Sequence, residues 1–429
     1  MTEQKTLRLG IAGLGNVGVG LVKLVQQQDK LRLPGNLEIS LVSARSRSRN
    51  RGVDLSGYGW EDDAAQLAKS DKIDVFVELM GGSDGPARHS VETAIRAGKH
   101  VVTANKALMA EHGAHLALLA EEHGVHLLFD AAVAGGVPIV RAVRDSFSGV
   151  DIHRVSGILN GTCNYILTQM LETGADYKSV LKEAQQLGYA ESDPYLDVSG
   201  MDAAHKALIL AVLAFGAKPD FSKVRVAGVD QIESLDIKLA NKMGYRIRLV
   251  AEAVQDENGV RCHVAPALFK VDHPLAQVTG PTNAVMVEGE PVGRVTMTGP
   301  GAGEGPTASA VMGDISRILQ GAVTAPFGLP VSQLEDKLYL SSGDGPRSVW
   351  FIRIRLSDKS GAMASLSNAL AKCDVSIDLM QQDSSAGGDG SPIAIMTHPC
   401  ARNVVESAAA IVAELEACVD KPRVLRVEA

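Results

Sequence analysis

Short apolar runs alternate with amphipathic segments from the start of the chain to Phe129. The runs are typical of buried strands, and the segments repeat apolar residues every three or four positions, as one face of a helix does. The predicted strands are Leu7–Ala12, Leu37–Ala44, Ile73–Leu79, His100–Val102 and Val125–Phe129. The predicted helices are a segment with Val19, Leu21, Val22 and Val25 on one face, then Ser90–Ala97 and Ala107–His123. This alternation predicts a parallel sheet with helices on both faces.

Beyond Phe129 the alternation is less regular. Strand-like pieces follow one another without helices between them, which predicts an antiparallel sheet. The recognisable pieces are a polar stretch at Gly188–Gly200, a strong helix at about Met201–Phe215, strand-like Tyr245–Val254 and Val285–Val287, a dense glycine cluster at Gly299–Gly305 and a helical pattern from Ala310 to Leu319.

A polar, glycine-rich segment at Ser341–Pro346 is typical of a linker. The elements predicted after it are a strand at Val349–Leu356, a helix at Ala362–Cys373, strands at Ser376–Leu379 and Ile393–Thr397, a helix at Val404–Cys418 and a strand at Val424–Val427. This β-α-β-β-α-β order is the ferredoxin-like arrangement, with Gly387–Gly390 in the loop between its second and third strands.

Composition excludes several classes of protein. The 429 residues include 42 Lys and Arg against 50 Asp and Glu, a net charge of −8, which argues against binding to nucleic acid or to an anionic membrane surface. No apolar run approaches the roughly 20 residues that span a bilayer, and the N-terminus lacks the regions of a signal peptide. Five scattered cysteines without metal-ligand spacing suit a reducing cytoplasm, where we expect the protein.

Part of the glycine excess, 43 residues, lies in Gly13-Leu14-Gly15-Asn16-Val17-Gly18, between a predicted strand and a predicted helix. In this context the motif predicts a Rossmann dinucleotide site. Gly13 permits the tight turn, Gly15 lets the backbone approach the pyrophosphate, and Gly18 allows close packing of helix and strand. The alternative is a glycine turn without a ligand.

The residues after the second strand bear on the choice of dinucleotide. An NAD site usually places Asp or Glu there, whereas Arg accommodates the 2′-phosphate of NADP. This chain has Ala44-Arg45-Ser46-Arg47, so we expect NADP(H) to be preferred, with NAD(H) also possible. Arg45 is the leading phosphate contact and Arg47 a second one. The alternative is a solvated basic loop, since Arg49 and Arg51 continue the pattern.

Three polar segments supply candidate chemistry: Thr103-Ala104-Asn105-Lys106 after a strand, the stretch Gly188–Asp197, and Asp202 with Lys206 on a predicted helix. A lysine can move the proton that accompanies hydride transfer at an alcohol carbon, and carboxylates can orient it and bind a substrate ammonium group. Spacing alone favours a surface ion pair for Asp202 and Lys206, and a capped loop for the polar stretch. The residues therefore indicate an NADP-dependent oxidoreductase with a small polar substrate.

The chain closely resembles the homoserine dehydrogenases, in their long bacterial form with a C-terminal ACT domain. The resemblance covers essentially the whole chain. It rests on the glycine motif, on Thr103–Lys106, on Gly157–Thr162 and above all on the arrangement from Glu191 to Lys206. It implies reversible reduction of L-aspartate 4-semialdehyde to L-homoserine with NAD(P)H, on the route to threonine and methionine.

The same resemblance implies roles for individual residues. Lys206 looks like the general acid/base, and Lys106 like a second active-site lysine near the nicotinamide and the substrate. Glu191, Asp197 and Asp202 look like the carboxylates that bind the substrate and orient the lysines, with Asp202 part of the catalytic group. The cofactor-binding positions are the motif residues, Arg45, Arg47, Thr103, Lys106, Gly188 and Gly303.

Residues 130–137 resemble the family's loop for a monovalent cation, which implies sodium. The carbonyl oxygens of Val133, Gly135 and Val137 would be ligands. A glutamate often stands at the first position of this loop, and Asp130 is one methylene shorter, so its own ligation stays open. The alternative is a tight structural turn.

Leu356–Met363 resembles the signature of ACT domains and implies feedback inhibition by threonine; the alternative is a module for assembly without a ligand.

The expected fold is α/β, and the protein is expected to be a homodimer or homotetramer. Its predicted units are a doubly wound Rossmann domain at 1–135 completed by about 305–340, an α+β substrate-binding and dimerisation domain at 136–304, a linker at 341–348 and a ferredoxin-like ACT domain at 349–429.

Two rival functions remain open at this point. Cys163 could be the nucleophile of an acylating semialdehyde dehydrogenase, although a small buried cysteine at the start of a helix is far commoner. The chain could also be a non-catalytic NADP-binding regulator, but that interpretation leaves two lysines and three carboxylates without a role.

Overall fold

Two sheets organise the chain. This computed structural model describes residues 5–321, 323–340, 346–383 and 390–428. The predicted linker residues 341–345 and loop residues 387–389 lie outside the described residues. Within these ranges, the length and apolar character that a membrane span requires are not combined in any helix.

The strands are, in chain order, β1 (Thr6–Ala12), β2 (Asn36–Ser43), β3 (Gly59–Trp60), β4 (Val75–Glu78), β5 (His100–Thr103), β6 (Leu127–Leu128), β7 (Asp151–Ile158), β8 (Arg225–Val226), β9 (Tyr245–Asp256), β10 (Gly259–Lys270), β11 (Thr282–Glu290), β12 (Gly293–Pro300), β13 (Val349–Leu356), β14 (Ile377–Gln382), β15 (Ser391–Thr397) and β16 (Arg423–Glu428). The helices are α1 (Asn16–Gln26), α2 (Ala64–Ala68), α3 (Pro86–Arg96), α4 (Lys106–Glu122), α5 (Ile139–Arg141), α6 (Gly161–Thr173), α7 (Tyr177–Gln186), α8 (Tyr195–Val198), α9 (Met201–Phe215), α10 (Ser234–Lys242), α11 (Glu304–Gln320), α12 (Ala362–Lys372) and α13 (Arg402–Ala413).

The first sheet is parallel, with the order β3-β2-β1-β4-β5-β6. This is the strand order of dinucleotide-binding folds, in which ligands bind where the order reverses, here between β1 and β4. The predicted parallel sheet is therefore confirmed, although β3 was missed because it is only two residues long. Helix α11 packs on α1, where a Cβ added to Gly20 would lie 2.8 Å from Glu304 Cγ.

The glycine cluster before α11 is shorter than predicted, because the helix begins at Glu304 rather than near Ala310. Pro306 falls in the first helical turn, where a missing backbone N–H costs nothing, and Gly305 is also helical. Helix α13 ends earlier than predicted, at Ala413, and Cys418 instead bridges to Leu356.

The second sheet is mixed, with the order β12-β11-β7-β9-β10-β16-β13-β15-β14, and β8 pairs with β10. The C-terminal elements follow the predicted order, and β16 joins β10 in parallel, with Ala267 opposite Arg426. Helix α9 packs against β7, β9 and β10 on one side and against α4 on the other. Helix α9 is therefore buried between the mixed sheet and α4, a helix of the dinucleotide fold. Its polar residues lie between these two parts of the molecule.

Candidate active site

One buried carboxylate joins the carboxyl ends of β4 and β5. Glu78 is the last residue of β4 and fully buried, and its Oε2 accepts a hydrogen bond of 2.6 Å from the Thr103 hydroxyl. Its Oε1 accepts hydrogen bonds from the N–H groups of Met80 and Gly81 at 2.7 and 3.0 Å. Ligands bind beyond these strand ends, so the hydrogen bonds of Glu78 fix the backbone that borders the expected crevice.

Lys106 is the first residue of α4, and Asn105 caps that helix. The Asn105 Oδ1 accepts a hydrogen bond from the N–H of Leu108 at 3.1 Å, and its Nδ2 donates to the Gly82 carbonyl at 2.6 Å. Its backbone N–H donates to Thr103 Oγ1 at 3.0 Å. These bonds set the position of the first turn of α4, from which the Lys106 side chain reaches α9.

Asp202 on α9 pairs with both predicted lysines. Its Oδ2 accepts a hydrogen bond from Lys206 Nζ at 2.7 Å, and its Oδ1 pairs with Lys106 Nζ. Lys206 Nζ also donates to the Leu159 carbonyl, just after β7, at 2.7 Å. The surface ion pair favoured by spacing is wrong, since Asp202 is 5% and Lys206 8% exposed. The Lys106 side chain, by contrast, is 41% exposed, so Lys206 is the buried lysine of the site and Lys106 lies at its solvent-exposed edge, here called the mouth.

The two lysines have opposite electrostatic environments. Burial lowers the pKa of Lys206, and this effect outweighs the opposing charge of Asp202. The Asp202 carboxylate raises the pKa of Lys106. Burial by itself would raise the pKa of Asp202, but the two ammonium groups hold it well below the usual range. Groups of one type whose pKa values are moved apart are typical of acid–base sites.

Asn160 holds a second carboxylate beside the first. Its Nδ2 donates hydrogen bonds to Asp197 Oδ1 and Asp202 Oδ2, each at 2.9 Å. Its Oδ1 accepts a hydrogen bond from the N–H of Cys163 at 2.8 Å and so caps α6. Burial raises the pKa of Asp197, and the charge of Asp202 raises it further. The cluster therefore contains two different carboxyl groups: the charged form of Asp202 is strongly favoured, whereas Asp197 is a weaker acid than usual.

Glu191 and Gly188 lie on the exposed rim of this cluster. Gly188 has φ +78° and follows α7, and a Cβ added to it would meet no atom within 4 Å. Glu191 is exposed, and its charge contributes to the raised pKa of Lys106. Large apolar side chains around them are exposed as well: Leu187, Tyr189, Tyr195 and Leu196. The structure thus brings Lys106, Lys206, Asp197 and Asp202 together and leaves Glu191 at the mouth.

The glycine motif has the shape that a pyrophosphate requires. Gly13 has φ +102°, and a side chain there would collide with the Leu79 carbonyl, while one at Gly18 would collide with Gly13. At Gly15, in contrast, a Cβ would point into open space. Gly15 directly precedes α1, which has neither a side-chain cap nor an acidic residue in its first turn. The unpartnered N–H groups there fit an anion such as the pyrophosphate of a dinucleotide.

The basic loop after β2 contacts the glycine motif and Trp60. Arg51 donates hydrogen bonds to the carbonyls of Leu14 at 3.2 Å and Ser46 at 2.5 Å, which ties this loop to the glycine motif. The guanidinium carbons of Arg47 and Arg51 lie 5.8 and 5.7 Å from the centre of the Trp60 ring. Arg45, directly beyond β2, is exposed.

Gly303 precedes α11 and has φ +113°. The next residue, Glu304, pairs with Lys23 of α1 at 2.6 Å. This contact brings the N-terminus of α11 back to the dinucleotide fold, on the helix that follows the glycine motif.

The predicted cation loop is tied to α11. The Asp130 carboxylate accepts a hydrogen bond from the N–H of Arg141 at 3.0 Å, and its own N–H donates to Asp314 Oδ2 at 2.9 Å. The Val137 carbonyl accepts a hydrogen bond from Ile139 at 2.7 Å. Within the described ranges, no hydrogen-bond donor is recorded for the carbonyls of Val133 and Gly135. Two of the four predicted ligands therefore already have protein partners.

The residues of the site to which the sequence assigned no individual role are Glu78, Asn105, Asn160 and Arg51. Glu78 had a visible signal, an acidic residue at the end of an otherwise apolar strand. Asn105 had the signal of a helix cap, which is a polar residue directly before the helical pattern. Arg51 had none, because its contact with Leu14 joins segments 37 positions apart.

Comparison with known proteins gives a consistent result. A family model described as homoserine dehydrogenase matches residues 138–316, and one described as the NAD-binding domain of homoserine dehydrogenase matches residues 13–130. The chain is 37% identical to a homoserine dehydrogenase of Synechocystis sp., over 98% of this chain and 99% of that protein. A homoserine dehydrogenase structure from Thiobacillus denitrificans is 35% identical, has a TM-score of 0.92 and covers 99% of both chains. A hyperthermophilic archaeal homoserine dehydrogenase in complex with NADPH is 25% identical, with a TM-score of 0.65, over 74% of this chain and 99% of that one.

Proposed function

The chain belongs to the homoserine dehydrogenase family and is an NAD(P)-dependent oxidoreductase, and from that premise we propose that it interconverts L-aspartate 4-semialdehyde and L-homoserine. The observation that carries this proposal is the pairing of Asp202 with both Lys106 and Lys206 beside the carboxyl edge of the dinucleotide fold. A lysine of lowered pKa and a lysine of raised pKa at one point suit a reaction that needs both a proton carrier and a fixed positive charge.

The bound dinucleotide supplies or accepts the hydride. During reduction, Lys106 stays charged because its pKa is raised, and it stabilises the negative charge that develops on the substrate oxygen. Lys206 gives that oxygen a proton. During oxidation, the neutral amine of Lys206 accepts the hydroxyl proton, a role that its lowered pKa favours. Asp202 orients both ammonium groups.

Asp197 and Glu191 are proposed to bind the substrate ammonium group. Asp197 is held by Asn160 at 2.9 Å, and Glu191 lies at the mouth where an amino-acid substrate would enter. A substrate cation near Asp197 would lower the raised pKa of that carboxyl group, so binding favours its charged form.

NADP(H) is the proposed preferred cofactor, with NAD(H) as a weaker alternative. Arg45 and Arg47 follow β2 without any carboxylate in the position typical of NAD sites. The similar archaeal homoserine dehydrogenase was solved with NADPH. Thr103, Gly188 and Gly303 complete the proposed binding site, with Thr103 acting through its bond to Glu78.

Sodium is proposed to bind the loop at 130–137 through the carbonyls of Val133 and Gly135, which have no recorded donor among the described residues. Asp130 and Val137 would join them only by giving up their bonds to Arg141 and Ile139.

We further propose that residues 349–429 are an ACT domain through which threonine inhibits the enzyme. Support comes from the β-α-β-β-α-β order and the strand order β16-β13-β15-β14. Leu379 and Met380 on the edge strand β14 are exposed, as an assembly surface in a homodimer or homotetramer would be.

Residues 1–135 with 305–340 would bind the dinucleotide, and residues 136–304 would bind the substrate. The enzyme would be cytoplasmic and would act on the route to threonine and methionine.

The test is a spectrophotometric assay of homoserine oxidation with NADP+ and NAD+, each with and without threonine. We expect turnover with both cofactors, a higher kcat/KM with NADP+, and inhibition by threonine. No turnover with either cofactor would contradict the proposed reaction. If threonine changes neither the rate nor the melting temperature, the proposed regulation is wrong while the reaction stands.

A further inference from the structure

Glu78 is a buried carboxylate at the carboxyl end of the parallel sheet. It is the last residue of β4 and fully buried, and among the described residues no ion pair within 4.0 Å is recorded for it. Burying a charged group is costly unless hydrogen bonds replace those to water. Groups retained at such a cost are typical of functional sites, so the contacts of this carboxylate indicate what it does.

One oxygen of Glu78 shapes the chain directly after β4. Oε1 accepts hydrogen bonds from the backbone N–H groups of Met80 at 2.7 Å and Gly81 at 3.0 Å. Gly81 has φ +81° and Gly82 has φ +87°, and a Cβ added to Gly81 would meet no atom within 4 Å. The carboxylate therefore holds a short stretch of backbone, residues 80–82, that borders open space. In dinucleotide-binding folds this half of the sheet receives the second nucleotide.

The other oxygen is linked to the start of α4. Thr103, the last residue of β5, is fully buried, and its hydroxyl donates to Glu78 Oε2 at 2.6 Å. Thr103 Oγ1 in turn accepts a hydrogen bond from the N–H of Asn105 at 3.0 Å. The Asn105 side chain then donates to the Gly82 carbonyl at 2.6 Å, in the stretch that Oε1 holds. These bonds form a closed ring that connects β4, β5 and α4.

Lys106 directly follows this ring. It is the first residue of α4, and its Nζ pairs with Asp202 Oδ1 on α9. Its side chain is 41% exposed, so packing does little to hold it, and its reach depends on where the helix begins. The charge of Asp202 raises the pKa of Lys106, an effect that weakens as the two charges move apart. A shift of the ring would therefore change both the position and the protonation of this lysine.

We propose that Glu78 is a positioning residue, which places the Lys106 ammonium group through the hydroxyl of Thr103. The same carboxylate holds the backbone at 80–82, so one buried group sets both the lysine and the end of β4. This inference rests on the proposed function, in which Lys106 stabilises the substrate oxygen. A displacement of about 1 Å in a reacting group can lower a rate by about 100-fold, so such positioning has a large effect.

The test compares Thr103→Val, which removes the hydroxyl and keeps the shape of the side chain, with Thr103→Ser, which keeps the hydroxyl. Two quantities are measured: kcat for homoserine oxidation, and the rate of Lys106 acetylation relative to the exposed Lys218, by competitive labelling and mass spectrometry. Thr103→Val should lower kcat at least tenfold. It should also speed Lys106 acetylation at least threefold, because an ammonium group that moves away from Asp202 loses its proton more readily.

Thr103→Ser should stay within threefold of the unmodified protein in both quantities. The Kd for NADPH, from fluorescence titration, should change less than threefold in either variant because the glycine motif is untouched. Glu78→Gln must present an amide donor to one side of the ring, so it should act in the same direction as Thr103→Val. It serves as the test if Thr103→Val fails to fold.

Thr397→Val is the matched control. Thr397 is also the last residue of a strand and fully buried, and its Oγ1 accepts a hydrogen bond from the N–H of Trp350 at 3.1 Å. A merely structural loss of a buried hydroxyl would lower the stability of both valine variants, whereas only Thr103→Val should change kcat and Lys106 acetylation.

The proposal is overturned if Thr103→Val matches Thr397→Val in both quantities, or if Thr103→Ser loses as much activity as Thr103→Val. It is also overturned if Thr103→Val lowers kcat without changing Lys106 acetylation, because the hydroxyl would then act by another route. If the unmodified protein does not oxidise homoserine, the proposed reaction is wrong, and the acetylation rates still decide whether the ring positions Lys106.

Discussion

Two ionic clusters lie beside the mixed sheet, and the basic side chains are lysines in one and arginines in the other. At the active site, Asp202 pairs with two lysines. At the junction of the mixed sheet with the C-terminal strand, Glu252 is 2% exposed and lies 2.5 Å from both Arg154 and Arg426. In each cluster a buried carboxylate lies between two basic side chains.

Their electrostatics differ. Burial would raise the pKa of Glu252, but Arg426, His263 and Arg154 hold it well below the usual value, and the pKa of Arg426 is raised despite its burial. The shifts in pKa thus favour the charged forms of Glu252 and Arg426. In the active site the pKa of Lys206 is lowered while that of Lys106 is raised. A buried charged group therefore does not by itself indicate a catalytic site. A buried group that can change its protonation state, such as Lys206, does.

The largest expected effect comes from Lys206→Ala. Removal of the proposed proton carrier should lower kcat by about 10²–10⁴-fold, the usual contribution of general acid–base catalysis. Binding of NADPH, measured by fluorescence titration, should persist because the glycine motif is untouched. Lys218→Ala, at an exposed lysine paired with Asp336, is the control and should keep full activity. A loss of less than about tenfold for Lys206→Ala would assign the proton to another group.

At the junction, Glu252→Gln should act on stability instead. It removes one of the two carboxylates, Glu252 and Glu428, that Arg154 and Arg426 share, and breaking a buried pair typically costs about 3–5 kcal/mol of the free energy of unfolding. Urea denaturation measures this cost. The kcat of the protein that stays folded should be unchanged, and a large fall in kcat with normal stability would erase the distinction between the two clusters.

The pH dependence should follow Lys206. Oxidation needs its neutral amine, so kcat/KM for homoserine should rise by about tenfold per pH unit and level off below the ordinary lysine pKa of about 10.4. Reduction needs the ammonium form and should fall over the same range. Stopped-flow measurements that isolate hydride transfer test this, with Lys218→Ala as the control. A rise that continues past the ordinary lysine value would contradict the lowered pKa.

Much of the fold was predictable because its signals are local. The apolar runs and the motif from Gly13 to Gly18 indicated the parallel sheet, and α9 was predicted at the residues it occupies. The start of α11 was misplaced because glycine and Pro306 usually indicate a loop, whereas the contact with α1 stabilises a helix there.

The site was less predictable, since its geometry comes from distant segments. Asp202 and Lys206 are four positions apart, but their burial depends on α4 and β7, which no local pattern reveals. The role of Asn160 as a bridge between two carboxylates likewise depends on segments 37 and 42 positions away. Family resemblance pointed to these residues because it carries information about tertiary contacts that periodicity lacks.

A smaller effect is expected from Arg45→Ala, which affects specificity rather than either cluster. Loss of a charged contact with the 2′-phosphate should lower the ratio of kcat/KM for NADPH to that for NADH by about tenfold, since such bonds contribute about 1.5–3 kcal/mol. Arg49→Ala, in the same exposed loop, is the matched control. An unchanged ratio for Arg45→Ala would contradict the proposed phosphate contact.

The smallest effect is expected from Cys163→Ser, at a buried thiol beside the active-site cluster. Burial raises the pKa of Cys163 well above its usual value, and the charges of Asp197 and Asp202 raise it further, so the thiolate that a nucleophile requires is disfavoured. The thiol instead donates a hydrogen bond to the Asp197 carbonyl at 3.2 Å, which serine can also do. We expect kcat within about twofold of the unmodified enzyme, as for Cys262→Ser, the control at a second buried thiol. A loss of more than a hundredfold in the folded Cys163→Ser variant, without such a loss in Cys262→Ser, would favour thioester chemistry, because serine keeps the hydrogen bond to the Asp197 carbonyl and lacks the nucleophilic thiolate.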